Sequence, residues 1–211
     1  MPKISLKGKN LPTSPIRKLS KYATDAKAKG IDVIHLNIGQ PDIETPAKAL
    51  QAIQSFDKNV LAYGPSEGSL AYRQKMCLYF AKHNIKVQPD DILVTTGASE
   101  AIIMTLDCIT NEGDELIIPE PFYANYDTFA AACGVKVVPV SSTIDSNFSL
   151  PPIETIEAKI NEKTRAIFIC NPNNPTGYVY SEKELNDLAT LVKKHDLFLI
   201  VDEVYREFTY D

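Results

Sequence analysis

Apolar residues in this chain fall into two patterns that alternate along its length. Short uninterrupted runs recur at Ile92-Leu93-Val94, Ala166–Cys170 and Leu197–Val201, and Glu115–Pro119 and Lys136–Val140, each opened by one charged residue, also read as strands. Runs of this length read as strands buried on both faces, as in a parallel sheet covered by helices. Between them the apolar positions take helical spacing. Ile102, Leu106 and Ile109 share a face of a helix opened by Ala98-Ser99-Glu100-Ala101 and stopped near Asn111-Glu112-Gly113. Leu185, Leu188, Ala189 and Val192 form a stripe over 181–195, where Ser181 followed by Glu184 is a capping box. Further helices are predicted from Ser14 to about Lys29, broken at Gly30; from Thr45-Pro46 through Ala49, Ile53 and Phe56; over Leu70–His83; over Tyr126–Cys133; and after Pro151-Pro152. Asp32–Ile38 reads as one more short strand. Strands alternating with helices of this length make an α/β fold, a mostly parallel sheet with helices on both faces.

Open α/β sheets bind ligands just beyond the carboxyl ends of their strands, and three of these runs end in polar groups. Leu197–Val201 runs into Asp202-Glu203-Val204-Tyr205, which sets Asp202 where an ionised group can touch a ligand while shielded from bulk water. In isolation, a carboxylate capping the next element explains the same residues equally well. After Ile92-Leu93-Val94, Thr95-Thr96-Gly97 breaks the run and Ala98-Ser99 begins a helix. Strand, glycine turn and helix start together favour an anion, the dipole contributing on the order of 0.3–1 kcal/mol; an ordinary strand-to-helix turn is the other reading. After Ala166–Cys170 comes Asn171-Pro172-Asn173-Asn174-Pro175-Thr176-Gly177, whose prolines and glycine fix the backbone and hold the asparagine amides rigidly. The glycine fingerprints of dinucleotide and NTP sites are missing, which makes a plain nucleotide-binding domain the weakest reading. Together the three ends suit one ligand with an anionic group, a polar oxygen and a cation.

The segments LNIGQPDIETP at 36–46, YGPSEGSLAYR at 63–73, TTGASEA at 95–101, IIPEPFYANY at 117–126, NPNNPTGYVYS at 171–181 and VDEVY at 201–205 resemble, in order, the class I/II (aspartate aminotransferase) family of pyridoxal-phosphate enzymes. The resemblance implies fold-type I architecture: residues 1–45 would be the N-terminal segment of the small domain, and 46–211 an incomplete large, cofactor-binding domain. It implies that Gly97, Ala98 and Ser99 hold the cofactor phosphate and that Tyr123 stacks on the pyridine ring. Asn174 and Tyr205 would contact the ring hydroxyl oxygen, and Asp202 would pair with the protonated ring nitrogen. Tyr63 would reach the phosphate of the other subunit of a homodimer, and Gly39 would lie against the substrate carboxylate, with Tyr123 and Asn174 also facing substrate. Asp202 and Tyr205 would thus be the catalytic residues present. Cis peptide bonds are implied at Glu120-Pro121 and Asn174-Pro175.

The expected reaction moves an amino group from an amino acid to a 2-oxo acid. A lyase or synthase of the same fold would share every cofactor residue, and a non-catalytic protein binding pyridoxal phosphate is a further alternative. Family chemistry also needs a lysine that condenses with the cofactor, and in the family it lies beyond VDEVY. Lys183, Lys193 and Lys194 fall off the apolar stripe of their helix and read as solvated. The expectation is therefore an N-terminal portion of an enzyme, inactive alone, with the arginine for the substrate carboxylate also outside it. The substrate's identity stays open, Ile16 and Tyr123 being near the expected pocket without deciding it.

Composition narrows the rest. The 211 residues are 44% hydrophobic, enough for a sizeable core, and the net charge of −5 offers no footprint for nucleic acid or an acidic membrane. No apolar run is long enough to span a bilayer, and the first residues lack the apolar segment of a signal peptide, so a cytoplasmic protein is expected. Cys77, Cys108, Cys133 and Cys170 are widely spaced among apolar neighbours and read as buried reduced thiols; with only three histidines, no metal site is expected.

Overall fold

The structure, a computed structural model, describes residues 2–12, 17–37, 39, 41, 43–57 and 59–210. In chain order its helices and strands are α1 (Leu6–Asn10), α2 (Ser20–Ala28), α3 (Ala47–Gln54), α4 (Leu70–Lys82), α5 (Ala98–Ile109), β1 (Glu115–Glu120), α6 (Asn125–Ala132), β2 (Lys136–Ser141), α7 (Ile153–Glu157), β3 (Thr164–Cys170), α8 (Glu182–Lys194) and β4 (Phe198–Asp202). They fall into two compact units: Met1–Tyr22 with Gly97–Asp211, and Ala23–Thr96.

The first unit holds a four-stranded parallel sheet in the order β2-β1-β3-β4. Its strands bury alternate side chains on opposite sides, because successive residues of a strand point to opposite faces. Leu116 and Ile118 of β1 join Ala166, Phe168 and Cys170 of β3 in a core closed by Ile102 and Leu106 of α5 and Tyr126 and Ala130 of α6. Ile117, Ile167 and Ile169 face the other way, against Ile156 of α7 and Leu188, Leu191 and Val192 of α8. The uninterrupted apolar runs are the direct consequence of this double covering. Ser181 caps α8 as the capping box predicts, its hydroxyl accepting from the Glu184 N–H.

β4 departs from the expectation of a strand buried on both faces. Among the described residues it pairs with β3 alone, and while Leu199 and Ile200 pack into the two cores, Phe198 is 56% and Val201 38% exposed. A strand with one ladder partner keeps an open edge, and its side chains are covered on that side only by what packs there.

The second unit holds α3 and α4. Pro46, expected as the first residue inside α3, is instead the residue that caps it. Arg73 of α4 is buried; its guanidinium donates to the carbonyls of Gly68 and Pro89 and pairs with Glu67 and Asp90. Ile92–Val94, read as a strand, carries no ladder pairing among the described residues: the Val94 N–H donates to the Glu67 carbonyl within the same unit. Residues 32–37 likewise form no strand, and Ile38 lies outside the described residues, as do Ser14 and Ile16. An apolar run is only half of a strand; without a neighbour to bond to, the backbone stays extended but unpaired.

All four cysteines are free, but only Cys170 is buried and Cys108 is exposed, because Cys108 falls off the Ile102–Leu106 face of α5. Among the described residues no helix is long and apolar enough to cross a membrane.

Candidate functional site

The loop leaving β3 spends two of its three asparagines on itself. Asn171 Oδ1 accepts from the Tyr180 N–H at 3.0 Å, and the buried Asn173 accepts from the Thr176 N–H and hydroxyl. The Asn173 backbone adds bonds to Tyr178 and Gly177, and Gly177 closes the turn at φ +73°, where a side chain would strain the backbone. Asn174 is the one directed out of this brace, its amide donating to the Tyr205 hydroxyl at 3.3 Å. The peptide bonds Glu120-Pro121 and Asn174-Pro175 are cis as expected, and Asn171-Pro172 is cis as well. Asn174 and Tyr205 also line a cleft of about 420 Å³ with Pro172, Val179, Phe208 and Tyr210. Asp202 and the start of α5 lie outside its walls.

Asp202 is aimed by sheet parity. It is paired in register with Cys170, so both side chains leave the sheet on the α6 side. There Asp202 Oδ2 accepts from the Tyr126 hydroxyl at 2.7 Å, Oδ1 accepts from the Val204 N–H at 3.1 Å, and the Asp202 carbonyl accepts from the Asn171 N–H. Tyr126 is 1% exposed. Burial first, then the neighbouring Cys170 and Asp202, push its hydroxyl far above the ordinary range, so it stays a neutral donor. Burial also raises the Cys170 thiol, which donates to the Pro172 carbonyl at 3.2 Å. Tyr123, half-buried, sets its ring edge-on to Tyr126 with centroids 5.4 Å apart, and its hydroxyl accepts from the Asn125 amide.

α5 supplies the remaining group. Gly97 caps it at φ +87° with open space where a side chain would stand, and Ala98 and Ser99 are exposed in its first turn. Twelve residues of helix span about 18 Å and the six of β1 about 20 Å, joined by a short turn. The start of α5 therefore stands level with the carboxyl ends of the strands. A helix start is a candidate place for an anion, since its first backbone N–H groups have no partner within the helix.

Gly97, Ala98, Ser99, Tyr123, Asn174, Asp202 and Tyr205 thus belong to one unit, whereas Gly39 and Tyr63 belong to the other, Gly39 in open space and Tyr63 fully exposed. Lys183 and Lys194 stand on the surface, paired with Asp187 and Glu157 at 2.7 Å each. The sequence reading missed Tyr126. Its only signal is its place one helical turn after Tyr123, in a helix that faces the carboxyl end of β4. The donor set fits a planar ligand with a dianionic tail, a ring oxygen and a cationic ring nitrogen: helix N–H groups, an amide–phenol pair and a fixed carboxylate.

The model of the aminotransferase class I and II family matches residues 31–211. An aspartate aminotransferase of Bacillus sp. strain YM-2 is 34% identical over 205 residues, which are 96% of this chain and 52% of that protein. Aromatic-amino-acid aminotransferase 2 of Thermococcus litoralis is 36% identical over 202 residues, covering 94% and 50%. Among solved structures, an alanine aminotransferase from Pyrococcus furiosus superposes with a TM-score of 0.93 at 30% identity, covering 99% of this chain and 54% of that one. The aspartate aminotransferase of Thermotoga maritima does so with 0.92 at 31% identity, covering 99% and 56%. The chain spans about half the length of the curated relatives it matches. A parallel sheet covered on both faces, polar groups gathered at its strand ends and a family match over most of the sequence agree: this chain belongs to the class I and II aminotransferases.

Proposed function

We propose that the protein is a pyridoxal-phosphate-dependent transaminase that moves an amino group from an L-amino acid to a 2-oxo acid, and that this chain carries most of its cofactor-holding groups. The observation that carries the reading is Asp202, held by two neutral donors at the end of β4, with the Asn174–Tyr205 pair at the neighbouring strand end. When bound, pyridoxal phosphate supplies an electron sink for the charge left when an amino acid's Cα–H bond breaks. Asp202 keeps a proton on the ring nitrogen, since an opposite charge a few ångströms away favours the ionised form. The N–H groups of Gly97, Ala98 and Ser99, with the Ser99 hydroxyl, grip the phosphate, and Tyr123 covers one face of the ring. Asn174 and Tyr205 hold the ring oxygen. Gly39 faces the substrate carboxylate, and Tyr63 serves the phosphate of the other subunit in a homodimer.

Residues 1–45 belong, in this reading, to the small domain and 46–211 to the large one, in a cytoplasmic enzyme. In this reading the lysine that condenses with the cofactor lies outside these 211 residues, as the family resemblance implies, with Lys183 and Lys194 held in surface ion pairs, and the chain alone is inactive.

The test uses the complete gene product, with amino donors assayed against 2-oxoglutarate and pyridoxal phosphate binding measured in parallel. Asp202→Ala should weaken cofactor binding and lower transfer by about a hundred- to a thousandfold, the scale of removing one preorganised electrostatic group. Wild-type turnover in Asp202→Ala overturns the role of Asp202. Substrate loss without amino transfer across the panel favours a lyase, and cofactor binding without turnover a non-catalytic protein.

A further inference from the structure

Tyr126 is a fully buried residue that touches two groups of the site. Its hydroxyl donates to Asp202 Oδ2 at 2.7 Å, and its ring meets the Tyr123 ring edge-on at 5.4 Å. Phe168 at 4.4 Å and Phe122 at 6.3 Å close around it, so the ring has no room to swing. In an apolar core such as this a phenylalanine would pack as well, and a phenol must find a partner to repay the loss of water. The partner it finds is the strand-end carboxylate. No ion pair neutralises that carboxylate among the described residues; its oxygens are met by a tyrosine hydroxyl and a backbone N–H, both neutral and both fixed by packing or chain geometry. Such donors orient a carboxylate without cancelling its charge, which leaves its outward lone pairs for a cationic partner.

We propose that Tyr126 is a positioning residue that aims the Asp202 carboxylate at the ring nitrogen of the cofactor and keeps it in step with the Tyr123 ring. This rests on the transaminase reading above. The role is specific to the nitrogen: among the described residues the Tyr126 hydroxyl donates to Asp202, with the Cys170 thiol as its other neighbour, and not to the phosphate-binding helix start or the Asn174–Tyr205 pair, so it affects binding through Asp202.

The experiment compares the complete gene product with Tyr126→Phe, Asp202→Ala and the double variant. Dissociation constants are measured for pyridoxal phosphate and for its analogue with C–H in place of the ring nitrogen. Tyr126→Phe removes one oxygen and leaves the ring packing intact. It should weaken pyridoxal phosphate about tenfold, as expected for a hydrogen bond to a charged group, and change analogue binding less than twofold. In the Asp202→Ala background the same change should have no further effect on either probe. Equal weakening of both probes, or of neither, overturns the proposal, as does a full tenfold loss in the Asp202→Ala background. A wild-type protein that binds neither probe overturns the cofactor reading and this inference with it; wild-type binding with no selectivity in Tyr126→Phe overturns this inference alone.

Discussion

Glu184 is where local helix chemistry and the site loop meet. Its Oε2 accepts from the Ser181 N–H and hydroxyl at 2.7 Å each, and its Oε1 accepts from the Leu150 N–H at 2.8 Å. The Tyr178 hydroxyl lies 3.1 Å from both oxygens. One carboxylate therefore closes the capping box of α8, ties that helix to the segment before α7, and anchors the residue that follows Gly177. Replacing Glu184 by Ala removes the reciprocal half of the cap, about 1 kcal/mol. It also strands the Leu150 and Tyr178 donors, at about 1.5–3 kcal/mol for the lost bonds to a charged acceptor. Shared donors do not add fully, so the expected loss is about 3 kcal/mol. Glu184→Gln keeps one acceptor oxygen and should lose about 1–2 kcal/mol. Urea unfolding of the complete gene product, followed by far-ultraviolet circular dichroism, measures both. The acid limb adds an independent check. Burial works against the charge, but the bonds from Ser181, Leu150 and Tyr178 prevail and hold the carboxyl below its ordinary 4.5. A depressed folded value means that the contribution is complete above pH 4.5 and is lost as pH falls through the lower folded value. The gap between wild type and Glu184→Ala should therefore be constant from neutrality to that point and shrink below it. A loss under about 1 kcal/mol in Glu184→Ala, or a gap that narrows while still near neutrality, refutes the reasoning.

Two glycines with similar backbone angles should respond differently to alanine. Gly30, at φ +77° in open space, meets only the left-handed backbone penalty of about 1–2 kcal/mol, whereas a Cβ on Gly68, at φ +95°, would stand 2.5 Å from the Val94 side chain. Thermal melts should show Gly68→Ala costing at least about 1 kcal/mol more than Gly30→Ala, the low end for overpacking; equal costs would mean that Val94 moves aside freely. The cysteines should separate under iodoacetamide at pH 8, read by mass spectrometry. Exposed Cys108 reacts first and buried Cys170 last, with Cys133 slow because burial, together with Asp107, pushes its thiol up to about 11. Labelling of Cys170 ahead of Cys108 would contradict the packing of β3.

The sequence made the architecture legible because most of the sheet is covered on both faces. Leu116 to Ile118 and Ala166 to Cys170 are apolar at every position since each residue has a helix to pack on, and Ser181 with Glu184 announces the start of α8. The same cue misled at Ile92–Val94, where composition matches a buried strand but the backbone has no ladder partner among the described residues. It misled again at Phe198 and Val201, which are apolar yet exposed on an edge strand. For the candidate site, motif and strand end singled out Asp202, Asn174 and Tyr205, which stand at or just beyond the ends of β3 and β4, and the cis bonds expected at Pro121 and Pro175 are present. Which asparagine faces outward rests on hydrogen bonds inside a seven-residue loop, and spacing alone carries no trace of that division. The contact between Tyr126 and Asp202 joins residues 76 positions apart, through a register that only the assembled sheet defines.

That register gives the chain length near β4 a quantum of two. Leu199 leans toward α8, Ile200 toward α5 and α6, and Asp202 follows Ile200 because two steps restore the same side. Dropping or adding one residue between Phe198 and Val201 would rotate the carboxylate to the opposite side of the sheet, the side of the Ile167, Ile169 and Leu188 core, away from the Tyr126 hydroxyl. Drift in this segment can therefore change residues in place or in pairs, while single insertions are confined to the turns on either side, at His195–Leu197 and beyond Val204.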